Sequence, residues 1–337
     1  MTNDSDAIIS VLGAAQTVLL LTHIQPDGDA VGSVFGLSRC LRAMGKYVDI
    51  LMFPGVPPGH QFLIGDEILL PGVDTIAPEY DAVAILDSGD YERCGAEPAV
   101  RALGVPVLNI DHHATNPGYG ELNFVDDRAS STSELVVQLI VRAGWPLDAH
   151  MAAPLYVGLV SDTRFFQNDA LRAETFDIAA RLLRTGLDPK PLTQRTTQNK
   201  TVTDLRVLSL ALRNIELAAN GLIAYTTVRQ QGLEELGANH RNCWSAGVFG
   251  SLNNLGSAIV TFSLIEFSAT RTFCEFRSKR GFDVRDVALA FGGGGHRTAS
   301  GCSPEIPLDE LLPRVLAVLI PAVTPAQNDP VPSVSSG

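Results

Sequence analysis

Acidic and histidine residues recur in this chain directly after short apolar runs. His23 closes TVLLLTH (17–23), and QPDGDAVGS follows, with Asp27 and Asp29 in the turn. Asp87 closes AVAILD (82–87), and Asp111, His112 and His113 stand at the end of VPVLNID (105–111). In open α/β sheets, ligands bind outside the carboxyl ends of the strands. Three such strands bringing Asp and His to one edge form a geometric convergence. Mixed carboxylates and imidazoles suit Mn²⁺, Fe²⁺ or Co²⁺, Mg²⁺ less well, and Zn²⁺ prefers fewer ligands. Two ions ~3.5–4 Å apart can share a carboxylate, lower the proton affinity of water and neutralise a phosphate. A lone ion would not need this many acids.

Each piece alone has a plainer reading. Asp27 and Asp29 flank Gly28 as turn formers would, and for that pair alone the turn is the better reading. Asp87 before Ser88-Gly89 suits a turn or a helix cap. His112 or His113 could be a satisfied, partly buried histidine. Asp162 in VGLVSDTRFF reads by itself as a cap for the next segment. For the residues that follow strands, placement at three strand ends together outweighs these readings. AFGGGGHRTASG (290–301) is the last element. Four glycines permit close backbone approach to a ligand, and their N–H groups can form an anion nest. His296 and Arg297 add donors. A flexible linker is the alternative, but the run lies between an apolar helical pattern and a His-Arg pair, which favours phosphate binding.

Positioning these groups requires an α/β architecture. Short apolar strands (17–23, 47–53, 82–87, 105–111) alternate with helical patterns (30–44, 131–144, 153–163, 174–186). The alternation predicts an N-terminal, mostly parallel sheet flanked by helices over residues 1–186. TGLDPKPLTQRTTQNK is polar and aperiodic, so residues 187–204 are expected to be a linker. A helix (205–217) and strands (221–228, 257–267, 271–278) predict a smaller C-terminal α+β domain over 205–320. The Pro- and Ser-rich stretch 321–337 is expected to be disordered.

Bulk properties narrow the function. The 337 residues exceed what one core of about 250–300 residues usually serves, which predicts two domains. A net charge of −12 disfavours long nucleic acids, which demand a basic face. A short anion remains compatible, because residues 271–297 carry Arg271, Arg277, Lys279, Arg280, Arg285 and Arg297 against three acids. An ordinary solvated surface explains that patch equally well. No apolar run reaches the ~18 residues of a membrane span. The acidic N-terminus is unlike a secretory signal, so the cytoplasm is the expected location. The five cysteines are scattered and suggest neither a disulfide framework nor a zinc knuckle.

THIQPDGDAVGS, AILDSGD, IDHHATN and LVSDTRFF, in this order, resemble the four motifs of the DHH phosphoesterase superfamily, and FGGGGHRTASG resembles the signature of its first type of associated C-terminal domain. Length and layout are most similar to the short-oligonucleotide hydrolases (nanoRNase, also pAp phosphatase). The resemblance implies two divalent ions, most often Mn²⁺. His23, Asp27 and Asp87 would hold one; Asp29, Asp87, His112 and Asp162 the other, with Asp87 shared. His113 would face the scissile phosphate. Arg277, Ser278, Gly293, Gly294, His296 and Arg297 would hold the rest of the substrate. The implied substrates are short RNA, pApA-like dinucleotides and pAp. A homodimer is the assembly common among such relatives, though no residue pattern here specifies it. The chain departs from the family at Arg164, where a small residue, often Gly, is usual after Asp-Thr; this bears on substrate preference. A cyclic-di-AMP phosphodiesterase is the alternative enzyme, and the glycine-run domain argues against a pyrophosphatase. A non-catalytic nucleotide sensor or RNA-binding module is the alternative of another class, against which stands the complete set of ligand positions.

Overall fold

A computed structural model describes residues 2–167 and 171–323. These divide into two compact units, with the boundary between Asn199 and Lys200.

The first unit is built on seven strands: β1 (Thr2–Asn3), β2 (Thr17–Leu21), β3 (Tyr47–Leu51), β4 (Ile68–Leu69), β5 (Ala82–Leu86), β6 (Val107–Asp111) and β7 (Leu122–Val125). Their order is β1-β7-β6-β5-β2-β3-β4; β1 runs antiparallel to β7 and the other neighbours are parallel. The helices are α1 (Ser5–Ala14), α2 (Gly28–Ala43), α3 (Glu97–Ala102), α4 (Thr132–Ala143), α5 (Ala149–Asp162), α6 (Ala173–Arg184) and α7 (Pro189–Thr197). Both sheet faces are covered, so the central strands are apolar throughout rather than alternating. Val18 and Leu20 of β2 pack into the core with α2, α4 and α5; Leu19 and Leu21 pack on the opposite face with Tyr91 and Val100.

Two local features bring α2 and α5 together. Gly32 allows close approach: a Cβ there would stand 2.5 Å from the Pro154 carbonyl oxygen and 2.8 Å from the Gly158 backbone. Pro154 lies inside α5 and cannot donate to the carbonyl one turn earlier. The freed oxygen of His150 instead accepts a 2.8 Å hydrogen bond from Arg39 of α2.

The second unit contains α8 (Val202–Arg213), α9 (Gln230–Glu235), α10 (Arg241–Ala246), α11 (Val248–Asn253), α12 (Arg285–Leu289) and α13 (Leu308–Val323). Its sheet comprises β8 (Glu216–Ala218), β9 (Ile223–Val228), β10 (Val260–Ser268), β11 (Arg271–Ser278), β12 (Gly294–His296) and β13 (Ala299–Cys302), in the order β12-β13-β11-β10-β9-β8. Only the β9–β10 pair is parallel. Phe262 and Phe276 pack with α13 on one face, and Ile265 packs with α8, α10 and α11 on the other.

The fold is the mixed α/β arrangement expected, with a mostly parallel first sheet and a separate second one. Three boundaries differ. The stretch 187–204, read as a linker, holds α7 and the start of α8. Asp188 caps α7 through the Lys190 amide, and Thr201 with Asp204 forms a capping box on α8. The helix expected over 205–217 ends at Arg213, because Glu216–Ala218 pairs with β9. The first residues of the stretch expected to be disordered from 321 are helical: α13 runs through Pro321 to Val323, with Leu319 and Val323 fully buried. Residues 324–337 lie outside the described residues.

Candidate metal centre

The site forms at the carboxyl edge of β2, β5 and β6, central strands of the first sheet. His23 follows β2, Asp87 follows β5, and His112 and His113 follow β6. Asp27 is the N-cap of α2; its carboxylate accepts from the Asp29 and Ala30 amides at 3.0 and 3.1 Å. This turn is both a cap and a carrier of Asp29, so the two readings of Asp27 are compatible. Asp162 ends α5.

The side chains converge into three overlapping groups whose ligand atoms lie within 4.8 Å of one another: His23, Asp27 and Asp87; Asp29, His112 and Asp162; and Asp87, His112 and His113. Asp87 Oδ2 lies 3.8 Å from His23 Nε2, and its Oδ1 lies 3.6 Å from His112 Nε2. His112 Nε2 is also 3.5 Å from Asp162 Oδ2. Asp87 thus stands between the first group and His112. Its backbone is left-handed (φ 57°), a conformation a non-glycine residue adopts at a cost of about 1–2 kcal/mol.

The donors fit divalent cations. His23 Nδ1 lies 2.9 Å from the Ile24 carbonyl oxygen, and His112 Nδ1 lies 3.3 Å from that of Ala129. A proton on each Nδ1 leaves each Nε2 as a lone-pair donor, the usual arrangement for metal-binding histidine. Burial lowers the His23 pKa and favours its neutral form. Burial, then the neighbouring Asp162, push the Asp29 carboxyl up to about 7. Burial and the charges of Asp29 and Asp27 raise Asp87 as well, and burial raises Asp162. Burial opposes charge on His112, yet Asp162, Asp29 and Asp111 together raise its pKa. Acids forced together in this way call for a cation between them.

Sequence reasoning missed the residues that orient the donors. The first turn of α4 points at the site: Thr132 and Ser133 amides donate to Asp29 at 2.6 and 3.0 Å, and the Thr132 hydroxyl donates to Asp87 at 3.0 Å. STSEL was legible as a helix start, and Ser131 does cap α4. Nothing in its spacing indicated what that helix end faces. Asp111 is buried and accepts from His113 Nδ1 at 2.7 Å and from the Asn116 amide at 2.6 Å. Burial works against its charge, but the His113 bond and charge hold its pKa below the usual carboxylate value.

Beyond Asp162 the chain makes an unusual turn. Arg164, Phe165 and Phe166 are all left-handed, at φ 50°, 57° and 61°. Phe165 and Phe166 pack against the core, while Arg164 remains exposed, and its charge works against the rise that burial imposes on the Asp162 pKa.

In the second unit, Gly293 and Gly295 are required by close strand approach. Cβ atoms there would stand 2.1 Å from the Gly301 carbonyl oxygen and 2.7 Å from that of Ala299. Gly294 faces open space. Ser278 is buried, and its hydroxyl donates to the Phe282 carbonyl at 2.7 Å, so it braces the hairpin in this structure. Arg277 pairs with Glu275, and the Arg297 guanidinium donates to the Gly281 carbonyl at 2.6 Å. The His296 side chain lies outside the described residues. The basic stretch 271–297 is partly neutralised internally, since Asp283 pairs with Arg285 at 3.2 Å and approaches Arg297 at 4.0 Å.

Comparison with known proteins identifies the family. Residues 17–159 match the model of the DHH family, N-terminal domain. The bifunctional oligoribonuclease and PAP phosphatase NrnA of Thermus thermophilus is 32% identical over 325 residues, covering 95% of this chain and 94% of the relative. Its namesake from Bacillus subtilis is 29% identical, covering 88% and 92%. An exopolyphosphatase-related protein from Bacteroides fragilis shares the fold with a TM-score of 0.87 at 23% identity, over 96% of this chain and 97% of that one. With such a relative matched along nearly its whole length, and the Asp-His-His triplet at the end of β6, the chain belongs to the DHH family.

Proposed function

We propose that this protein is a two-metal phosphoesterase that hydrolyses short oligoribonucleotides to mononucleotides and pAp to AMP. The observation that carries the reading is the pair of three-residue donor groups, His23-Asp27-Asp87 and Asp29-His112-Asp162, with Asp87 reaching toward both. The names of the relatives, whose full lengths the chain nearly spans, support the substrate class.

His23, Asp27 and Asp87 would hold one divalent ion, and Asp29, Asp87, His112 and Asp162 the second. The mixed oxygen and nitrogen donors favour Mn²⁺ over Zn²⁺. When bound, the ions supply Lewis-acid stabilisation of the phosphoryl oxygens and increase the acidity of water. The protein's own groups position the reaction. Thr132 holds Asp87, and the α4 amides hold Asp29. Asp111 fixes the His113 ring through Nδ1, leaving Nε2 to face the phosphoryl group and stabilise its developing charge. Arg164, exposed beside Asp162, would add a cationic contact to a second phosphate such as that of pAp. Arg277, Ser278, Gly293, Gly294, His296 and Arg297 would receive the remaining nucleotide, Ser278 by bracing the hairpin.

The test is Mn²⁺-dependent hydrolysis of pApA, a five-nucleotide RNA, pAp, cyclic-di-AMP and pyrophosphate, with Asp87→Ala as control. Release of AMP from pApA and pAp is expected, and loss of at least a thousandfold in the control. Cyclic-di-AMP hydrolysed faster than pApA would overturn the substrate assignment. An active Asp87→Ala would overturn the metal assignment.

A further inference from the structure

A recess lined by arginines lies in the first unit, on the face formed by α4 and α6. A cavity of about 740 Å³ opens there, within the ~300–1,000 Å³ range of small-molecule sites. Amphipathic α6 shapes it. Ile178, Ala179 and Leu182 are buried in the core, which turns Arg181 and Arg184 outward. Both arginines also line an adjoining hollow of about 420 Å³ that contains the half-buried Trp145. They form a cationic ridge shared by the two recesses.

The cationic groups that remain unpaired here are what distinguish the recess. Five arginines line the larger cavity with the carboxylates of Asp126, Glu174 and Asp177, and two further carboxylates, Asp6 and Glu134, pair with lining arginines. Three of the five already have partners: Arg128 with Asp126, Arg142 with Asp6, and Arg172 with Glu134. Arg181 and Arg184 have no ion pair within 4 Å among the described residues. Two guanidinium groups three residues apart lie on one helix face and can both reach one phosphate. The recess beside them offers an indole, the surface on which a nucleobase stacks. A long polyanion is a poor fit to an acidic molecule, whereas a small phosphate ester with an aromatic body matches both recesses.

We propose that the Arg181–Arg184 ridge binds a mononucleotide, with its phosphate on the two arginines and its base against Trp145. The site adjoins the metal centre's supports. Glu134, which holds Arg172 at 2.8 Å, lies two residues from Thr132 on α4.

The test uses the full-length protein stripped of metal with EDTA, so that no turnover occurs and binding alone is read. AMP, inorganic phosphate and adenosine are titrated while intrinsic fluorescence is followed; the only tryptophans are Trp145 and Trp244. AMP should quench saturably in the wild type and in Trp244→Phe, but not in Trp145→Phe. Affinity measured by calorimetry should fall at least tenfold in Arg181→Ala/Arg184→Ala, with circular dichroism unchanged. Phosphate and adenosine should each bind at least tenfold more weakly than AMP. Wild-type affinity in the double variant, quenching that follows Trp244, or adenosine or phosphate binding as tightly as AMP would overturn the proposal.

Discussion

His113 shows how one side chain's role depends on its neighbour. Its Nδ1 is engaged by Asp111, whose other oxygen is held by Asn116. A carboxylate in that position fixes the orientation of the ring. Asp111→Asn keeps the shape and removes the charge. The expected result is a kcat lower by about 10–100-fold with bound Mn²⁺ unchanged, in keeping with the usual effect of losing a group that orients a functional histidine. Metal content measured beside the rate decides the matter, because a parallel loss of Mn²⁺ would make Asp111 a support of the metal rather than of His113.

At the scale of elements, three helices meet where the donors meet. Gly158 of α5 sits against α4 and α2; a Cβ there would stand 2.0 Å from Ser133 Oγ and 2.8 Å from Asp29 Oδ1. Asp29 Oδ1 is the atom that accepts from the Ser133 amide at 3.0 Å. Overpacking a tight contact costs about 1–3 kcal/mol. Gly158→Ala should therefore lower stability by about that much and also weaken Mn²⁺ binding by displacing Asp29. Chemical denaturation and a Mn²⁺ titration read the two effects separately. Unchanged Mn²⁺ affinity would show that the helices separate without moving the carboxylate.

For the whole molecule, the crowded carboxylates set how stability depends on pH. Asp29 has its folded pKa pushed up to about 7 from 3.8 in the metal-free chain, and Asp87 is raised in the same direction. Between those values the folded state binds more protons than the unfolded one, so stability decreases as pH rises. The metal-free protein should melt at a lower temperature at pH 8 than at pH 5.5. Mn²⁺ at a hundred times its dissociation constant should add about 2.7 kcal/mol at pH 8 and reverse the trend. A melting temperature of the EDTA-treated protein that rises across this range would contradict the buried acid cluster.

Much of this was readable in the residues. Apolar runs of strand length ending in Asp or His determined the parallel sheet and the edge where its chemistry collects, because a strand buried on both faces must be apolar throughout and its polar groups can only emerge at its end. The polar segment around α7 was not readable as a helix, since its order comes from the Asp188 cap and contacts to the first unit's core rather than from its own periodicity. Likewise α13 continues through Pro321 because Leu319 and Val323 are buried by the second sheet. The orienting shell was decided by tertiary structure alone. Thr132 lies 45 residues from Asp87 along the chain, and Ser133 lies 104 from Asp29. Only the packing of α4 against α2 and α5 turns an ordinary capped helix start into the support of a metal centre.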